Sequence, residues 1–151
     1  MKETFVLGEE DLETLAEKAV SILATKKGEE KKRASVILLE GDLGAGKTTF
    51  TKALSKVLGI DGSTVHSPTF ILKKEYEGKH PAFKKLVHVD AYRFTHPDEA
   101  KVLRLEDDLH DPDALVVVEW PSKMTYLKSD MEITFRVEDE TTRDITITYE
   151  Q

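Results

Sequence analysis

The stretch from Val36 to Leu58 constrains this chain more than any other. An apolar run, Val36-Ile37-Leu38-Leu39, leads through Glu40 into Gly41-Asp42-Leu43-Gly44-Ala45-Gly46-Lys47-Thr48, and a helical pattern then continues to Gly59. Gly41, Gly46, Lys47 and Thr48 satisfy the P-loop spacing G-x-x-x-x-G-K-[S/T]. At ordinary residue frequencies a chain this short would hold roughly 0.005 such matches by chance. The flanks agree with the motif. A continuous apolar run fits a strand buried on both faces. Phe50, Ala53, Leu54, Val57 and Leu58 recur at helical spacing, and Gly59 suits a helix end. Strand, glycine loop and helix predict a three-layer α/β P-loop nucleotidase fold with a mainly parallel sheet.

A polyphosphate needs many donors and no steric obstruction. Gly44, Ala45 and Gly46 allow the backbone to curl so that successive N–H groups point at phosphate oxygens. The following helix adds unpaired N–H groups and its partial positive charge. Lys47 can reach the β- and γ-phosphates, and the Thr48 hydroxyl can ligate Mg²⁺. The pattern therefore predicts a nucleoside triphosphate site. No N-K-x-D sequence occurs, so adenine is the expected base. The arginines, Arg33, Arg93, Arg104, Arg136 and Arg143, are scattered, which argues against a kinase with an arginine-rich lid.

Around this unit the chain alternates strand and helix patterns. Thr4 to Leu7 reads as extended, and Glu9, Glu10 and Asp11 as the acidic first turn of a helix striped by Leu12, Leu15, Ala16, Ala19, Val20 and Leu23. Lys26 to Arg33 reads as a solvated connector. Ser67-Pro68-Thr69-Phe70 follows the P-loop helix, where Thr69 could serve the metal or γ-phosphate as part of a switch loop. A proline-fixed turn into a strand at Ile71 to Tyr76 explains the same residues. Leu86 to Asp90 and Ala114 to Glu119 read as buried strands ending in carboxylates. Thr95 to Asp98 resembles a helix start, with Val102, Leu103 and Leu105 as a weak apolar face. Alternation at Ile133/Phe135/Val137 and Ile145/Ile147/Tyr149 predicts a C-terminal antiparallel hairpin.

In open α/β sheets the site lies at the carboxyl ends of the strands. Asp90 and Glu119 end there, so either can ligate Mg²⁺, directly or through water, or orient the attacking water. His88 reads either as a bonded core histidine or as a phosphate contact. The 151 residues suit one domain over 1–151, and the net charge of −7 argues against broad contact with nucleic acid. With no cysteine, no membrane-length apolar run and no secretion signal at the start, the expected setting is the cytoplasm, away from membranes.

Gly41 to Thr49, Ser67-Pro68-Thr69-Phe70, His88-x-Asp90-x-Tyr92-Arg93 and Glu119-Trp120, in this order, closely resemble the TsaE (YjeE) family. The resemblance implies an ATPase that supports formation of threonylcarbamoyladenosine at position 37 of tRNA. It also implies a TsaB–TsaD heterodimer as partner and an indirect engagement of tRNA, with direct contact left open. By the same resemblance, Gly41, Asp42, Leu43, Gly44, Ala45, Gly46, Lys47, Thr48 and Thr49 would hold the phosphates of ATP. Thr48 and Glu119 would hold Mg²⁺, Asp90 would assist the metal or the water, and Arg143 would lie near the nucleotide. The segment around Glu9 would approach the base. Ala91, Arg104 and Lys123 depart from the family's usual residues, at positions around the phosphate chemistry. Two alternatives predict different behaviour: a small-molecule kinase of the P-loop class, and a non-catalytic nucleotide-gated scaffold.

Overall fold

The longest apolar runs become the centre of a seven-stranded sheet ordered β1-β7-β6-β2-β5-β4-β3. The strands are β1 (Lys2–Gly8), β2 (Ser35–Gly41), β3 (Lys73–Glu77), β4 (Lys85–Asp90), β5 (Ala114–Glu119), β6 (Met131–Val137) and β7 (Thr142–Tyr149). The computed structural model describes residues 1–27, 32–41, 46–61, 73–91, 104–119 and 127–150. Helix α1 (Leu12–Lys27), helix α2 (Lys47–Val57) and the short helix α3 (Leu105–Leu109) accompany the sheet. Glu9–Asp11 forms a 3₁₀ turn, so α1 begins at Leu12 rather than with the acidic triplet.

Strands β6, β2, β5 and β4 run parallel to one another, and β5 is buried at every position, as a strand covered on both faces must be. The C-terminal hairpin is present: β7 returns antiparallel to β6. Strand β6 is at once the first arm of that hairpin and a parallel partner of β2. Both edges are antiparallel, β1 on β7 and β3 on β4. Edge strand β3 is Lys-Lys-Glu-Tyr-Glu, a charged sequence that discourages further pairing.

Strand alternation sorts the core into two layers. Ile37, Leu39, Leu86, Leu115, Val117, Ile133, Phe135, Ile145 and Ile147 meet Leu12, Leu15, Ala16, Ala19 and Leu23 of α1 and Phe50 and Leu54 of α2. Phe50 and Phe135 meet at 5.8 Å between ring centroids, fastening α2 over β6. On the other face Val36, Leu38, Val87, Val89, Val116 and Val118 meet Leu105 of α3. Each such side chain contributes about 1.5–3 kcal/mol on burial.

Polar ties then fix strand ends. Asp130 accepts from the Val36 amide at 2.8 Å and pairs with Arg33 at 3.1 Å, locking the start of β2 beside β6. Buried Asp108 of α3 pairs with Lys73 of β3 at 2.7 Å and Lys85 of β4 at 2.8 Å. Arg104, just before α3, has the left-handed φ of 57°.

Candidate nucleotide site

Because side chains alternate along a strand, the face taken by its middle residues carries through to its end. Leu86 faces α1 and α2, and so, two and four residues on, do His88 and Asp90. Leu115 and Val117 face the same way, and Glu119 follows them. Leu39 and Gly41 do so on β2. Asp90 and Glu119 are register partners, and the Ala91 amide donates to the Glu119 carbonyl at 3.0 Å. The two carboxylates therefore end adjacent parallel strands on the side of α2, whose N-terminus opens at the same end of the sheet. Both are buried, at 7% and 3% exposure.

Gly46 caps α2 with φ 109°, and its carbonyl accepts from the Phe50 amide at 2.8 Å. Lys47, the first residue of α2, is buried and its ammonium donates to the Gly41 carbonyl. The Thr51 hydroxyl donates to the Lys47 carbonyl at 2.9 Å, stiffening the first turn. Thr48 and Thr49 are half-buried on that turn. A cleft of about 440 Å³ lies between the α1 start and α2, lined by Glu10, Leu12, Glu13, Thr49 and Ala53. Glu13 of its lining pairs with Lys56 at 3.2 Å, an ion pair between the two helices. Of these lining residues only Thr49 is anticipated by motif; Glu10 is marked as part of an acidic helix start, and Leu12 and Ala53 only by helical spacing.

Arg143 stands at the start of β7, in register with Val137 and Leu7, at the same end of the sheet. Its guanidinium donates to the carbonyls of Asp139 and Thr142, both at 3.0 Å. Asp42, Leu43, Gly44, Ala45 and Thr69 lie outside the described residues, as do the Tyr92-Arg93 pair, Trp120 and Lys123.

The donor set suits a hard divalent cation. Glu119 Oε1 is buried without a hydrogen-bond partner, and a second buried carboxylate stands at the next strand end. Among the described residues no three His, Cys, Asp or Glu side chains form a closed metal cage. Mg²⁺ usually keeps several waters and is bound through one or two carboxylates plus phosphate oxygens, a requirement that these two carboxylates fit.

A family profile described as "Threonylcarbamoyl adenosine biosynthesis protein TsaE" matches residues 9–145. The tRNA threonylcarbamoyladenosine biosynthesis protein TsaE of Aquifex aeolicus is 38% identical over 124 residues, covering 82% of this chain and 79% of that protein. Its namesake in Mycobacterium tuberculosis is 34% identical over 122 residues, covering 77% of this chain and 71% of that protein. The crystal structure of YdiB from Bacillus subtilis superposes with a TM-score of 0.68 at 28% identity, covering 99% of this chain and 86% of that one.

Proposed function

This chain belongs to the TsaE family of tRNA threonylcarbamoyladenosine biosynthesis, and from that premise we propose that it is a Mg²⁺-dependent ATPase acting with a TsaB–TsaD heterodimer. One observation carries the reading: Asp90 and Glu119 are buried side by side at parallel strand ends, on the face of α2, with Glu119 in register with Leu39, two residues before Gly41, whose carbonyl holds Lys47. Paired buried carboxylates are costly unless a cation or donors offset them. Here they stand where the triphosphate end of a nucleotide would lie.

In this reading the α2 N-terminus and the loop before it bind the phosphates through N–H groups and dipole. Lys47 moves its ammonium from the Gly41 carbonyl to the β- and γ-phosphates. Thr48, Glu119 and Asp90 would hold Mg²⁺, which when bound neutralises charge developing on the transferred phosphoryl group. Asp90 or Glu119 orients the attacking water. The Glu10–Ala53 cleft receives the nucleoside, with Thr49 at the junction of base and phosphates, and Arg143, at the same end of the sheet, would lie near the nucleotide. The proposed setting is the cytoplasm, where tRNA is modified. No helix among the described residues is long and apolar enough to cross a membrane.

Titration calorimetry with ATP–Mg²⁺ and a phosphate-release assay test the reading. Lys47→Ala is expected to weaken ATP binding by about 1.5–3 kcal/mol, the worth of hydrogen bonds to a charged group. Unchanged affinity in a folded variant would sink the phosphate-site assignment. Tight ATP binding with no phosphate release, alone or with TsaB–TsaD, would favour a scaffold over an enzyme.

A further inference from the structure

His88 is fully buried in the middle of β4, on a face otherwise lined by Leu86, Leu115, Val117 and Leu39. Neither ring nitrogen has a hydrogen-bond partner. Leaving a buried polar group unbonded is costly, and an apolar side chain of similar size would fill this position without that cost. Packing alone gives no reason for an imidazole here. A polar neighbour supplies one: His88 Nε2 lies 3.5 Å from Glu119 Oε1, itself buried and without a hydrogen-bond partner.

The two orphaned groups are complementary. A neutral imidazole carries one N–H donor, and a carboxylate is purely an acceptor. A formed N–H···carboxylate bond measures roughly 2.7–3.2 Å, so a small rotation of the Glu119 side chain closes the gap. We propose that His88 is the positioning residue of Glu119: Nε2–H donates to Oε1 and fixes the carboxylate so that its other oxygen is presented to the metal. The inference rests on the proposed role of Glu119 toward Mg²⁺, and it assigns to His88 a task that neither core packing nor direct phosphate contact describes. Ligating carboxylates are generally held by such outer partners, and losing one lowers metal affinity about 10–100-fold.

The test measures binding of a non-hydrolysable ATP analogue with and without Mg²⁺ by calorimetry, together with the ¹⁵N spectrum of the histidine rings. His88→Leu is expected to reduce the Mg²⁺-dependent gain in analogue affinity about 10–100-fold while Mg²⁺-free affinity stays as in the wild type. His88→Gln, which keeps an amide donor, should recover part of that gain. In the wild-type protein Nε2 of His88 should carry the proton, and its signal should move in Glu119→Gln. A folded His88→Leu variant with the full Mg²⁺ gain overturns the proposal, as does a wild-type ring protonated at Nδ1. Should His88→Leu fail to fold, the wild-type ring spectrum decides by itself. The parent reading fails separately, if Glu119→Gln retains the full Mg²⁺ gain.

Discussion

At the scale of single residues, the glycines that frame the P-loop answer to different neighbours. Gly41 has φ 151°, and a Cβ there would lie 2.6 Å from the Phe135 carbonyl oxygen. Gly46 has φ 109°, but a Cβ there would come only to 3.7 Å from the Phe135 ring. Gly41 is thus fixed by conformation and by backbone contact, whereas Gly46 is fixed by conformation alone. Gly41→Ala should lower unfolding free energy by about 1–3 kcal/mol through strain and displacement of β6. Gly46→Ala should cost less, about 1–2 kcal/mol. Urea denaturation without nucleotide checks the order, and a larger loss at Gly46 would contradict the contact with Phe135. The motif spacing marks both glycines in the sequence. The reason for the first is invisible there, because Phe135 comes from a strand near the other end of the chain.

At the scale of elements, the same division between local and distant causes recurs. Strands β2, β4 and β5 were legible because burial on both faces demands unbroken apolar runs, and α1 and α2 because a covered helix must carry an apolar stripe. Asp90 and Glu119 were legible as strand ends, but not their register pairing, which depends on β4 and β5 being neighbours. The edge position of β1 and the anchoring of α3 were equally hidden, since both rest on partners far along the chain. Asp108 shows this best. Burial pushes its carboxyl up, yet the hydrogen bonds from Lys73 and Lys85 outweigh burial and hold it below the usual carboxylate range. A carboxyl whose folded pKa is depressed stabilises fully above its unfolded value, about 3.9. That stabilisation is lost as pH falls through the lower folded value. Asp108→Asn should therefore cost about 1.5–3 kcal/mol at neutral pH. The difference from wild type should shrink as pH drops below about 4. Denaturant midpoints of both proteins across that range test it; a gap that persists undiminished in acid would mean that packing, rather than charge, holds α3.

At the scale of the whole molecule, the sheet is unequally covered. Its parallel half is buried on both faces, whereas the β6-β7-β1 half exposes Lys2, Thr4, Val6, Glu132, Arg136 and Thr148 on the face away from α1 and α2. The site's described cationic groups are Lys47, which grips phosphate in the proposed reading, and Arg143, whose guanidinium is engaged by the Asp139 and Thr142 carbonyls. An arginine supplied in trans can raise phosphoryl-transfer rates ~10³–10⁵-fold. A site that binds ATP with its own groups and awaits a further one from outside would hydrolyse slowly alone and faster in its assembly. Phosphate release should accordingly rise steeply when the proposed TsaB–TsaD partner is added. With a net charge of −7 on this chain, docking should carry an electrostatic part. Added salt should then weaken association before it weakens ATP binding, because exposed charges are screened more than buried ones. Steady-state turnover with and without the heterodimer, at low and high ionic strength, separates the possibilities. Full-speed hydrolysis by the isolated chain, indifferent to the heterodimer, would exclude control by the partner and leave the nucleotide site itself intact.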